Sequence, residues 1–169
     1  MTHDFTATFH FGIISQCDAQ LHYAKVKLPH LDDFETDWLP MHTANAGANQ
    51  FYNLPDVGEL VAVILDHRGE QGYILGAVYN EQDPTPTQNA DLWVKKFSNG
   101  TIISHDRSTG NVQVQTSGKV SIVAEQVVIQ GNVNINGSLQ ATGDVVAQGK
   151  SLVNHTHRGD SGGTTSSPN

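Results

Sequence analysis

The chain has 169 residues, with 9 Lys and Arg against 17 Asp and Glu and a formal net charge of −8. That length admits one ordinary domain or a small domain with an extension, and the acidic balance would repel a nucleic-acid backbone, which excludes nucleic acid as a partner. A lone cysteine, Cys17, excludes an internal disulfide and reads as a small buried apolar residue.

At the N-terminus, "MTHDFTATFHFG" has neither the basic start nor the continuous apolar run of a secretory signal. The longest apolar run, "LVAVIL" from Leu60 to Leu65, is far below the roughly 20 residues of a membrane-spanning helix. Both point to a soluble protein made in the cytoplasm. From Phe9 to about Tyr79 the chain reads as short strands: "AKVKL" alternates polar and apolar, "GELVAVIL" is a buried strand, and "GYILGAVY" carries an internal glycine suited to a bend. No segment shows sustained helical periodicity. The strand spacing, with exits at Pro29 and Pro55, predicts an all-β, N-terminal OB-fold barrel over residues 1–83. Pro84 and Pro86 lie in the polar run "NEQDPTPTQNAD", which predicts a stiff linker at 84–90.

Beyond it a six-residue period appears: "GNVNIN", "GSLQAT", "GDVVAQ", then Gly149. In each unit the second and fourth residues after the glycine are apolar, as in Val133 and Ile135, Leu139 and Ala141, Val145 and Ala147. The same register occurs at Val112 and Val114 after Gly110, and at Val120 and Ile122 after Gly118. Residues two apart on a strand share a face, so these pairs define one apolar face, with Asn132, Asn134, Gln140 and Asp144 opposite. So few units cannot build a core within one chain. Residues 91–152 are therefore expected to form the shaft of a homotrimer, an intertwined triple-stranded β-helix in which three apolar faces meet on a shared axis and no sheet edge is left open. The competing architecture, a left-handed hexapeptide-repeat β-helix of the acyltransferase kind, needs many more repeats than occur here. A plain strand-and-turn extension leaves the apolar face unexplained.

The C-terminal stretch "SLVNHTHRGDSGGTTSSPN" holds His155 and His157. By the same two-residue period they point to one side, and in a parallel three-fold bundle six imidazoles then reach the axis. Residues 153–169 are expected to form a metal-binding apex with one octahedral ion per trimer. Calcium and magnesium prefer oxygen, structural zinc is tetrahedral, and among the octahedral imidazole metals cellular availability selects iron over nickel. A site filled by six protein ligands leaves no open position for catalysis, so the ion is a clamp. An H-x-H in a Ser/Gly-rich tail carries little weight without the repeat before it. The "RGD" at Arg158 to Asp160 reads as turn chemistry, and the remaining histidines, His10, His22 and His67 among them, read as scattered surface or strand residues. An OB-fold binding module and a metal enzyme with a per-chain site are the alternatives. The acidic charge opposes the first, and the second finds no Glu or third His after His157.

The segments "HFGIIS", "AKVKLP", "TDWLPM", "LPDVGELVAVIL", "GYILGAVYNEQDPTP" and "HTHRGDSGGTTSSP" together resemble the baseplate assembly protein V family, the central spike of contractile-tailed bacteriophages and related bacteriocins. The resemblance spans essentially the full chain. It implies a non-enzymatic homotrimer in the virion tail baseplate, assembled in the host bacterial cytoplasm. Its OB domain would dock on the tail hub, and its needle tip, closed by an iron ion on His155 and His157, would pierce the host outer membrane when the sheath contracts.

Overall fold

A computed structural model describes residues 7–167, which divide after Val120 into two compact units. The first unit opens with β1 (Ala7–Asp18), β2 (Tyr23–Leu28), a single 3₁₀ turn (Pro29–Leu31), β3 (Phe34–Glu35), β4 (Leu39–Pro40), β5 (Leu60–Asp66) and β6 (Gly72–Ala77). These make one antiparallel sheet in the order β3-β2-β1-β5-β6, with β4 also paired to β2. Alternation sets its core: Ala24, Val26 and Leu28 of β2 and Val61, Val63 and Leu65 of β5 point inward with Ile14, Leu39 and Ile74, all at most 2% exposed. The run "LVAVIL" is thus one-sided, since Ile64 between two core residues faces outward. Gly12 lets β1 approach β2: a Cβ there would collide with the Val26 side chain and sit 2.6 Å from the Lys27 carbonyl. Gly76, at φ 152°, lies beside the register shift between Ala62 and Val63, the bend its place in "GYILGAVY" predicts.

The expected closed barrel is not formed. The ladder stops at β6, which is linked to the chain beyond β4 by one parallel bridge, Met41 with Ile74, and by the His42 N–H donating to the Ile74 carbonyl at 2.9 Å. β4 is two residues long and contains Pro40, which has no N–H to offer a ladder. The segment after it bonds to itself instead, with the Thr43 hydroxyl and the Phe51 N–H donating to the Phe51 and Asn45 carbonyls. Cys17 is half-buried, its thiol directed at the Pro55 carbonyl at 3.3 Å. Burial first, then Asp56 and Glu59, push the thiol above its ordinary 9.0.

The first unit ends in a three-stranded meander, β7 (Leu92–Lys96), β8 (Ile102–Asp106) and β9 (Val112–Gln115). The β8–β9 turn is closed by Asp106, which accepts the Ser108 hydroxyl at 2.6 Å and the Ser108 and Thr109 amides. The second unit holds β10 (Val146–Ala147) and β11 (Lys150–Ser151), paired antiparallel. Between Thr116 and Val145 there is no strand. The predicted intertwined triple-stranded β-helix is therefore corrected: the single chain has a local meander, a strandless repeat and a short hairpin. A strand needs a partner for its N–H and C=O groups, and between Thr116 and Val145 the hexads find none among the described residues. Their apolar positions stay exposed, Ile122 at 73%, Val133 at 61% and Leu139 at 70%. Among the described residues no helix is long and apolar enough to cross a membrane.

Candidate metal centre

The β10–β11 hairpin is the support on which His155 rests. Val146 faces Ser151 and Ala147 faces Lys150, around a two-residue turn in which Gln148 (φ 52°) and Gly149 (φ 75°) are both left-handed. The Leu152 N–H donates to the Val145 carbonyl at 2.8 Å, extending the pairing. Asp144, just before the hairpin, accepts the Val153 N–H at 3.2 Å. The Ser151 hydroxyl above all, helped by the Val153, Leu152 and Val145 amides, holds the Asp144 carboxyl below its ordinary 3.8 against a desolvation effect that exceeds any one of those amides.

The chain then turns. The Asn154 N–H donates to Ser151 Oγ at 2.8 Å and the His155 N–H to the Ser151 carbonyl at 3.2 Å. His155 Nδ1 lies 3.1 Å from the Ser151 carbonyl and 3.0 Å from that of Leu152. Carbonyl oxygens only accept, which assigns the proton to Nδ1 and leaves the Nε2 lone pair for a ligand. Metal-binding histidines are held in the same way.

His157 begins a tight hairpin. Its N–H donates to Thr165 Oγ1 at 2.9 Å, and the Thr165 N–H returns to its carbonyl at 2.9 Å. Arg158 bridges Thr164, and the Gly159 N–H reaches the Gly163 carbonyl at 2.7 Å. "RGD" therefore lies on the turn of this hairpin. The two rings meet with centroids 5.0 Å apart and planes at 85°. Imidazoles at neighbouring vertices around an ion, with bonds of about 2.1 Å, place their centroids about 4.5 Å apart, close to the spacing of this pair. One chain brings two nitrogen donors. Among the described residues no group of three or more His, Cys, Asp or Glu converges, so the metal-capped tip of the predicted fold is not complete within a single chain.

Two of the histidines read as scattered are not solitary. His10 Nδ1 and His30 Nε2 are 2.8 Å apart, and His10 Nε2 is 2.8 Å from Thr8 Oγ1. Their centroids lie 5.0 Å apart, the spacing of nitrogens that face each other across a hydrogen bond of about 2.8 Å. The pair consumes its own lone pair and is not a ligand set. His22 packs on Tyr52 at 5.1 Å. Asp144 and Ser151 are the residues that sequence reasoning missed. In the sequence Asp144 falls on the polar face of the repeat, and its link to the H-x-H runs through a hairpin that the hexad period does not announce.

Residues 11–79, which hold all but the first strand residues of the β1–β6 sheet, match the family described as the Type VI secretion system/phage-baseplate injector OB domain. The chain is also 29% identical over 170 aligned residues to the Spike protein of Escherichia phage P2, an alignment covering 79% of this chain and 80% of that relative.

Proposed function

We propose that this chain is a structural, non-catalytic component of a phage baseplate, a reading supported by the family match over residues 11–79 and the 29% identity to a phage spike protein across 79% of the chain, and that three copies assemble on a common axis into a spike that pierces the host outer membrane during sheath contraction. The β1–β6 end faces the tail hub. The C-terminal end carries the point, where His155 and His157 of each chain hold one iron ion. What supports assembly is the exposure of the repeat: Val120, Ile122, Val127, Ile129, Val133, Ile135 and Leu139 all lie open in the single chain. A soluble chain rarely leaves so long an apolar row uncovered, and covering it drives association.

Three-fold symmetry also supplies what one chain lacks, because two donors per chain become six. The ion would supply a cross-link among three chain segments at the point under greatest load. The chain's own part is to hold it: the Ser151 and Leu152 carbonyls fix His155, and the 157–165 hairpin fixes the backbone of His157. Such a cross-link adds stability where a slender assembly would otherwise fray. The test is solution mass beside metal analysis on the full-length protein. The expected result is three chains of 18.3 kDa with one iron among them. A monomer, or one metal per chain, would overturn the reading.

A further inference from the structure

We propose that Asp144 is the positioning residue for His155, acting through the β10–β11 hairpin to fix which imidazole nitrogen is offered to the metal; this rests on His155 being a ligand. The connection is continuous. Asp144 Oδ1 accepts the Val153 N–H at 3.2 Å, and the Leu152 N–H donates to the Val145 carbonyl at 2.8 Å. Residues 151–153 are thereby tied back to 144–145. Their carbonyls at Ser151 and Leu152 then converge on His155 Nδ1 at 3.1 and 3.0 Å.

Without Asp144 the Val153 amide loses its acceptor, and the Leu152 peptide is free to rotate its carbonyl away. Nδ1–H then lacks one of its two acceptors, and the ring can adopt the other tautomer, which buries the lone pair and exposes N–H toward the ion. The sequence places Asp144 eleven residues before the ligand, so only the hairpin brings the two into one network. Asp144 does not touch the metal. Its effect is transmitted through peptide groups.

The test uses full-length protein carrying Asp144→Ala or Asp144→Asn, with His155→Ala as a reference. Nitrogen-15 NMR of histidine-labelled, chelator-stripped protein reads the His155 tautomer, and chelator competition reads iron retention. In the unaltered protein His155 is expected as the Nδ1–H form. Asp144→Ala is expected to mix the tautomers and weaken iron retention about tenfold, the usual size of an outer-shell effect. Asp144→Asn, which keeps an oxygen for the Val153 amide, is expected to restore both. If Asp144→Ala cannot be produced folded, Asp144→Asn decides: a mixed tautomer in that variant overturns the proposal. So does a pure Nδ1–H signal with unchanged iron retention in Asp144→Ala. Iron retained by His155→Ala is a different failure, since it removes the ligand assignment itself.

Discussion

The β1–β6 sheet and the hexad repeat contain the same kinds of apolar residue in the same period of two, and their fates are opposite. In the sheet, Val61, Val63 and Leu65 are closed off by β2, β4 and β6 of the same chain. In the repeat, Val133, Ile135 and Leu139 stand in the open and form no strand. Alternation therefore specifies which face is apolar and says nothing about who covers it. Whether the cover comes from the same polypeptide or from copies of it depends on how many strands lie within reach.

That contrast is broken most sharply by one substitution in each region. Ile74→Ala, at a fully buried site, should cost about 2–5 kcal/mol, seen as a lower denaturation midpoint whatever the protein concentration. Leu139→Asp should leave the sheet's unfolding unchanged and abolish the three-chain mass, because it puts a charge in a face that, in the proposed assembly, only neighbouring copies cover. Light scattering reads the second and circular dichroism the first, and equal effects of both changes would erase the distinction.

A smaller effect is expected at the point. If the proposed assembly holds, His155→Ala with His157→Ala should remove the iron while the mass stays that of three chains, because the apolar row would carry most of the association energy. Elemental analysis beside light scattering checks this, and iron that survives the double change would refute the ligand assignment.

The smallest effect concerns pH. The Ser108 hydroxyl, with the Ser108 and Thr109 amides, holds the Asp106 carboxyl below its ordinary 3.8. A depressed carboxyl contributes stability above its ordinary value and loses it as pH falls through the lower, folded one. The β8–β9 turn should thus loosen only in acid below about pH 4, and Asp106→Asn should remove that acid step. Hydrogen exchange at Thr109 and Gly110 reads it, and an acid step unchanged in the variant would place the cause elsewhere.

Much of the first region was legible because its residues interact locally. "AKVKL" and "GELVAVIL" show their inward face directly, and Gly76 marks its bend. Barrel closure was not legible, because it depends on whether two-residue β4, with Pro40, can carry a ladder, and that is a long-range balance. The meander β7–β9 is not distinguishable from the repeat in the sequence, since Val112 and Val114 fit the hexad register while pairing within the chain with His105 and Ile103. At the C-terminal end the rings of His155 and His157 meet, but neither residue lies on a strand, so a local turn and not the strand period brings them together. The carbonyls that set the His155 tautomer could not be read, since they depend on a backbone reversal at Gln148 and Gly149.

The suppressed thiol of Cys17 has a practical consequence. Thiol-directed dyes attack the thiolate, and the ionisation of this half-buried side chain is disfavoured first by burial and then by Asp56 and Glu59. A cysteine introduced at Val123, 93% exposed, would react far sooner than the native one. Fluorophores could then be mounted on the repeat of otherwise unaltered protein, and energy transfer between copies would follow assembly as it happens.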